Sequence, residues 1–286
     1  MRMTKIALVT DSSCDLSEEF IQEHNIYLLP LKIIYPGKEY KDRIEIKPEE
    51  VYARMPEEVP FTSMPSAGEV IEILEELRRK GFGEVLAVLI SSGLSSTHDI
   101  FKAIAQQIEN LKVEVFDSLS LSIGLGFLVS EAAEQIKKNC SLREVVEHLK
   151  KARDRIEVYY VIPTLQYLRR GGRIGFVEGT VGELLNIKPI ISVNQEGKYF
   201  TFAKARGRRA SLQKLVETAR ERIGNKLVDL AVMHGGASQE AEEIMSQLKS
   251  LLPRLRKTVF GQISPALGVH TGPGLVGVAF YEVAPE

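Results

Sequence analysis

Along the first half of the chain, short runs of apolar, β-branched residues alternate with longer segments whose apolar residues recur every three or four positions. Alternating strand and helix signatures of this kind build a parallel sheet covered by helices. Residues 5–10 read as the first strand, and residues 26–35 as an extended run whose Pro30 argues against a central place in a sheet for all of it. Residues 85–90 are apolar without polar alternation, which suits a strand buried on both faces. A helix from about Thr97, a strand at 113–116 and helices near 122–138 and 141–153 complete this half. Two helix starts are signalled, one by Asp15 with Glu18, the other by Ser66 with Glu69 ahead of Val70, Ile71, Leu74 and Leu77.

From Val158 the rhythm changes. Strands are expected at 158–162, 189–193 and 199–205, the last two joined through Gln195, Glu196 and Gly197 as a hairpin. Helical segments near 208–223 and 239–251 and strands at 227–233, 258–263 and 275–283 follow. The expectation is an α/β chain of two domains. Residues 1–155 form a three-layer parallel-sheet domain, and residues 156–286 a smaller two-layer domain with a mixed sheet.

Composition narrows the function classes. The 286 residues carry 37 Lys and Arg against 38 Asp and Glu, a net charge of −1, which leaves no electrostatic case for nucleic acid or an anionic membrane. Apolar residues at 44% are enough for a core and exclude disorder. Cys14 and Cys140 are too few for a disulfide scaffold and lack metal-ligand spacing. No stretch reaches the length of a membrane span, and the N-terminus lacks the pattern of a signal peptide, so a cytoplasmic protein without stable membrane insertion is expected.

Gly272-Pro273-Gly274-Leu275-Val276-Gly277 spells the dinucleotide fingerprint, but too little chain follows for the helix, second strand and acidic residue that fingerprint requires. No Walker sequence is present either. A serine hydrolase using Ser95 and His270 has the right chain order, although the turn Gly93-Leu94-Ser95-Ser96-Thr97 lacks the glycine two residues after the serine. Hydroxyls gather at three strand-to-helix turns: Thr10 to Ser13, Thr62 with Ser63, and Ser91 to Thr97. In open parallel sheets ligands bind at such turns, where helix N-termini favour anions, although serine and threonine there also serve as plain helix caps.

With these turns in view, the chain resembles the DegV family, bacterial fatty-acid-binding proteins that act as acyl-carrying subunits of fatty acid kinase. The matching segments run in order: TDSSCDL at 10–16, LPLKI at 29–33, TSMPS at 62–66, SSGLSST at 91–97, FDS at 116–118, YLRRGGRIG at 167–175, LLNIKPII at 184–191 and HTGPG at 270–274.

The resemblance implies that a long-chain fatty acid is bound, its carboxylate held by Thr62, Ser95 and His270, with Asp11, Ser63, Ser96 and Thr271 supporting. It implies that a separate ATP-dependent kinase subunit phosphorylates that carboxylate to acyl phosphate, with Arg173 and Arg206 docking the kinase or meeting the phosphoryl group. No catalytic residue, metal or resident cofactor is implied for this chain; the fatty acid is its ligand. A lipid-sensing regulatory protein is the remaining alternative. An acyl chain of about 15 methylenes brings on the order of 12 kcal/mol of gross transfer free energy, so the tail can carry affinity while hydroxyls satisfy the carboxylate. The chain departs from the family at Ser96, where glycine is usual, at His98, where an aromatic is usual, and at Met64. A glycine requirement at 96 would signal a positive φ or close ligand approach.

Overall fold

The computed structural model describes residues 5–177 and 186–284, so the first two residues of the segment 184–191 lie outside the described residues. Strands β1 (Ile6–Asp11) and β2 (Tyr27–Leu29) flank helix α1 (Glu18–Glu23). Strands β3 (Lys32–Tyr35) and β4 (Lys38–Lys41), helix α2 (Pro48–Arg54) and strand β5 (Phe61–Ser63) come next. Helix α3 (Ala67–Arg79), β6 (Glu84–Leu89), α4 (Thr97–Ala105) and β7 (Lys112–Asp117) restore the alternation, and α5 (Ser122–Lys137) and α6 (Leu142–Arg153) end this half.

β2, β1, β6 and β7 form the expected parallel sheet, in that order. Period-2 side-chain alternation divides β6 between two cores. Val85, Ala87 and Leu89 pack with Val70, Leu74 and Leu77 of α3 and Phe101 of α4, whereas Leu86 and Val88 face α5. The α3 start is the Ser66–Glu69 capping box read from the sequence.

The second half contains β8 (Ile156–Val161), α7 (Gln166–Arg170), β9 (Ile187–Val193), β10 (Tyr199–Arg206), α8 (Arg208–Ile223) and β11 (Val228–Gly235). Helix α9 (Ser238–Leu251), β12 (Leu255–Gln262), α10 (Pro265–Thr271) and β13 (Leu275–Glu282) complete it. The strands build a mixed sheet in the order β10-β9-β8-β13-β11-β12. Leu230, Val232, Val278 and Phe280 bury one face under α8 and α9, while Ala231, Met233, Ala279 and Tyr281 turn the other toward α5. Helix α5 therefore touches both sheets, meeting β1 and β6 on one side and β8 and β13 on the other. Its residues Ser122 to Val129 are all buried, as befits a helix apolar around its whole circumference. Among the described residues no helix is long and apolar enough to cross a membrane.

Some local readings are corrected. Residues 26–35 split at Pro30 and Leu31, β2 joining the parallel sheet and β3 pairing antiparallel with β4 and β5 in a small third sheet. The start of α1 is capped by Ser17, while Asp15 sits at positive φ and serves elsewhere. The glycines from 272 turn the chain into β13, which pairs antiparallel with β8 and β11 and opens no helix, so the dinucleotide fingerprint has no supporting unit. Helices α2, α7 and α10 were not signalled by periodicity. Helix α10 reaches back to the first half, where Val269 packs against Ile33, Tyr35, Ile46 and Val51.

Candidate functional site

In the order β2-β1-β6-β7 the connections leave in opposite directions from β1 and β6, so the crevice for a ligand lies beyond the ends of those two strands. Asp11, the last residue of β1, is fully buried and ties the ends together. Its Oδ2 accepts the Ile90 N–H at 2.7 Å, and its Oδ1 accepts from the Ser13 N–H at 3.0 Å and the Ser13 hydroxyl at 2.5 Å. Burial raises the Asp11 carboxyl above its ordinary value, and these bonds oppose the rise.

Beyond these strand ends lies a cavity of about 250 Å³ whose wall includes Thr62, Ser63, Ser95, Ser96, Arg173 and His270. Register places Thr62 on β5 opposite Ile33. Ser95 and Ser96 sit at the start of α4, so the positive end of that helix meets the cavity. Ser95 Oγ lies 2.8 Å from Thr97 Oγ1 and also accepts the Thr97 N–H at 3.3 Å. Ser96 has φ −77°, an ordinary value for any residue, so its replacement of the usual glycine carries no backbone strain. Ser63 donates its hydroxyl to the Met64 carbonyl at 2.9 Å, and Met64 contributes its own side chain to the wall. His98 turns to Asp99, 2.9 Å away, and is not part of the wall.

His270 comes from the last turn of α10, and its Nε2 lies 2.6 Å from Thr62 Oγ1. Its Nδ1 is buried without a hydrogen-bond partner among the described residues. Desolvation first, and then the Arg173 charge, push the imidazole down to about 4, so it is neutral at pH 7. Gly171 makes room for that ring, because a methyl group there would overlap it. Arg173 donates from Nη1 to the Gly171 carbonyl at 2.5 Å and from Nε to the Leu94 carbonyl at 3.3 Å, binding the glycine-flanked segment to the α4 turn. Ser95 and His270 thus share a cavity, but His270 Nε2 engages Thr62 and Ser95 engages Thr97; the Ser–His hydrogen bond of a hydrolase is not made.

Two further spaces adjoin. Tyr199 and Leu267 belong also to a narrow apolar slot of about 30 Å³ that runs between α5 and the mixed sheet past Ile123, Tyr160, Met233 and Ala279. Thr271 lies on this slot rather than on the cavity of about 250 Å³, its hydroxyl donating to the Leu267 carbonyl at 3.1 Å. On the other side, Thr62, Arg173 and His270 also wall a cavity of about 310 Å³ with Phe61, Tyr167 and Arg170. Asp11 lies behind the crevice. Arg206 is exposed at the far end of β10, roughly 23 Å along the strand from Tyr199 at a strand rise of about 3.3 Å per residue.

Of two buried carboxylates beneath the cavity, Asp42 escaped the sequence reading and Asp15 was read only as a helix cap. Asp42 Oδ2 accepts the Ser12 hydroxyl at 2.5 Å and its Oδ1 accepts the Ala266 N–H at 2.9 Å. Asp15 Oδ1 accepts the Ser264 N–H at 2.8 Å and its Oδ2 the Ser122 hydroxyl at 2.5 Å. Burial raises Asp42 to about 7 and Asp15 to about 6. The available signal was an acidic residue in a segment rich in buried neighbours, which spacing alone does not distinguish from a cap.

The chain matches, over residues 5–283, the family described as "Uncharacterised protein, DegV family". It belongs to the DegV family. A DegV domain-containing protein of Clostridium acetobutylicum is 45% identical over 280 residues, covering 98% of this chain and 100% of that protein. Among solved DegV structures, one from Thermus thermophilus, described as showing fatty acid binding of a DegV family protein, superposes with a TM-score of 0.91 at 28% identity, covering 98% of this chain and 100% of that one. A DegV protein described as a fatty acid binding protein from Bacillus subtilis gives 0.90 at 28% identity with the same coverage.

Proposed function

We propose that this DegV protein binds a long-chain fatty acid, with the carboxylate in the head cavity and the hydrocarbon in the apolar slot, and presents the carboxylate to a separate ATP-dependent kinase for phosphorylation to acyl phosphate. The observation that carries the reading is the adjacency of two unlike spaces that share wall residues. One is lined by hydroxyls, a neutral histidine, an arginine and a helix N-terminus; the other is almost wholly apolar, and Tyr199 and Leu267 belong to both. The solved DegV relatives described as fatty acid binding support it.

The chemistry fits a carboxylate. With the proton on Nε2, His270 donates to Thr62 Oγ1 and leaves the Thr62 hydroxyl free to donate to the anion. The N-terminus of α4 adds about 0.3–1 kcal/mol for a nearby negative charge. The tail is the larger contributor, at about 0.8 kcal/mol per buried methylene. At about 30 Å³ the slot as it stands is too small for an acyl chain, so in this reading hydrocarbon enters as Tyr199 and Leu267 swing aside. The outer cavity reaches the same Thr62, Arg173 and His270 wall from the opposite side, a route by which a phosphoryl donor meets the carboxylate. Arg173 is then placed to stabilise phosphoryl charge. Arg206, distant and exposed, serves partner docking in this reading.

Two domains remain the working division, the first comprising residues 1–155 and the second 156–286. The tail lies between them, and α10 is the element of the second that completes the head site.

Native mass spectrometry of gently purified protein tests the binding step. The expected result is an added mass equal to one long-chain fatty acid. Empty protein that takes up none from a mixed fatty-acid pool defeats the proposal. Mixing the loaded protein with a fatty acid kinase and ATP tests presentation: acyl phosphate is expected, and its absence favours a lipid sensor.

A further inference from the structure

Asp15 and Asp42 have no part in the acyl-binding scheme, yet they hold the helix that completes it. Pro265 has no N–H, so Ser264 and Ala266 supply donors at the start of α10, and both are taken by these carboxylates. Asp42 reaches the head cavity a second way. Its own N–H donates to the Leu31 carbonyl at 2.8 Å, and the Leu31 N–H donates to Ser12 Oγ, the same hydroxyl that bonds Asp42. Leu31 and Ala266 are both wall residues of the cavity.

We propose that Asp42 positions the floor of the head cavity and takes up a proton from solvent when an anion occupies that cavity. The proposal rests on the fatty-acid reading above. Asp42 is 0% exposed and its partners are a hydroxyl and an amide, so no cation neutralises it by contact. The charged groups that act on it are Asp15 from the β1 turn and Arg43 beside it in sequence, and Cys14 and Tyr52 of α2 stand by Asp15 in turn. Asp15 opposes its ionisation and Arg43 favours it from beyond ion-pair distance. A carboxylate arriving on the far side of Leu31 and Ala266 adds another like charge in a region of low dielectric, which favours the neutral acid.

The exchange is compatible with the hydrogen bonds present. A proton from a buffer acid attaches to Asp42 Oδ2, converting carboxylate to carboxylic acid. That O–H then donates to Ser12 Oγ, whose own hydrogen rotates away, while Oδ1 keeps the Ala266 N–H. The geometry of α10 is preserved and the cavity loses one buried negative charge. A value of about 7 places this exchange in the neutral range.

Isothermal titration of decanoate into the full chain, repeated at one neutral pH in buffers of different ionisation enthalpy, counts the protons taken up. The expected wild-type uptake is on the order of half a proton per decanoate, with affinity rising about threefold for each unit fall in pH. Asp42→Asn, which mimics the protonated acid, is expected to bind without uptake, and Asp15→Asn to move the pH of greatest uptake downward because Asp42 stays ionised more easily. Wild type that binds decanoate with no uptake, or uptake that persists in Asp42→Asn, overturns the proposal while leaving the fatty-acid reading intact. If Asp42→Asn does not fold, the titration is repeated from about pH 5 to about pH 8, and an Asp15→Asn uptake profile that peaks at the wild-type pH overturns it instead. A wild-type protein that binds no fatty acid of any length defeats the fatty-acid reading and this proposal with it.

Discussion

Thr62 and His270 are 208 residues apart in the chain and 2.6 Å apart at the cavity wall. The bond joins the small third sheet to α10, and each partner is held there by its own element: register for Thr62, the last helical turn for His270. Replacing Thr62 with Val keeps the shape and removes the hydroxyl. That change leaves His270 Nε2 unpartnered, at a cost of about 1–3 kcal/mol. Fatty-acid affinity is expected to fall by roughly tenfold or more. Displacement of a fluorescent fatty acid and urea unfolding measure the two effects, and unchanged binding would remove Thr62 from the site.

Gly171 is the position at which the smallest added group has the largest reach. A methyl there overlaps the His270 ring, and the Tyr167 carbonyl 3.3 Å away closes the other side. Gly171→Ala is expected to lose about 1–3 kcal/mol of stability through overpacking and to weaken acyl binding along with it. Denaturant midpoints and the His270 ring resonances give the readout. An unmoved ring with full stability would show that the helix simply shifts to make room.

Stability should respond to pH in two opposing ways. His270 is depressed from 6.5 to about 4, so its contribution is present above 6.5 and is lost as pH falls through about 4. Asp42 is raised from 3.8 to about 7 and Asp15 to about 6, so their contribution is complete below 3.8 and is lost as pH rises through those values. The advantage in melting temperature of Asp42→Asn over wild type should therefore grow from about pH 5 to about pH 8. A pH-independent difference between the two proteins would show that Asp42 does not titrate in this range.

Ala279 lies on the apolar slot and faces α5. Ala279→Leu fills part of that space. The expected outcome is a shift of preference from palmitate toward laurate, with the head contacts unchanged. Competition binding across a saturated series measures it, and an unaltered chain-length order would place the tail elsewhere.

Much of this architecture was legible in residues whose chemistry leaves little choice. The apolar run in β6 could only be a strand covered on both faces, and Ser66 with Glu69 announced α3. The hydroxyl-rich turns Thr62–Ser63 and Ser95–Ser96 were readable because strand ends of parallel sheets collect such residues, and one cavity brings them together with His270 and Arg173. Helix α10 was hidden: Gly268 and Val269 are weak helix formers in a seven-residue segment, and its conformation is secured by Asp15 and Asp42 from the other half of the chain. Asp15 misled for the same reason, since a cap and a long-range acceptor present the same side chain. Pro30 argued against a central place for all of residues 26–35, but the separate sheet beyond it depends on pairing with residues near Thr62, which local pattern does not contain.

The strand order of the mixed sheet sets a schedule for synthesis. Among the described elements β13 comes last in chain order, yet it lies between β8 and β11 in the middle of the sheet. Until about residue 282 has emerged, the nascent chain holds β8 and β11 apart and leaves one flank of α5 bare. That flank is the wall along which the acyl tail is proposed to lie, so an unfinished chain exposes its greasiest helix before the surface that covers it exists.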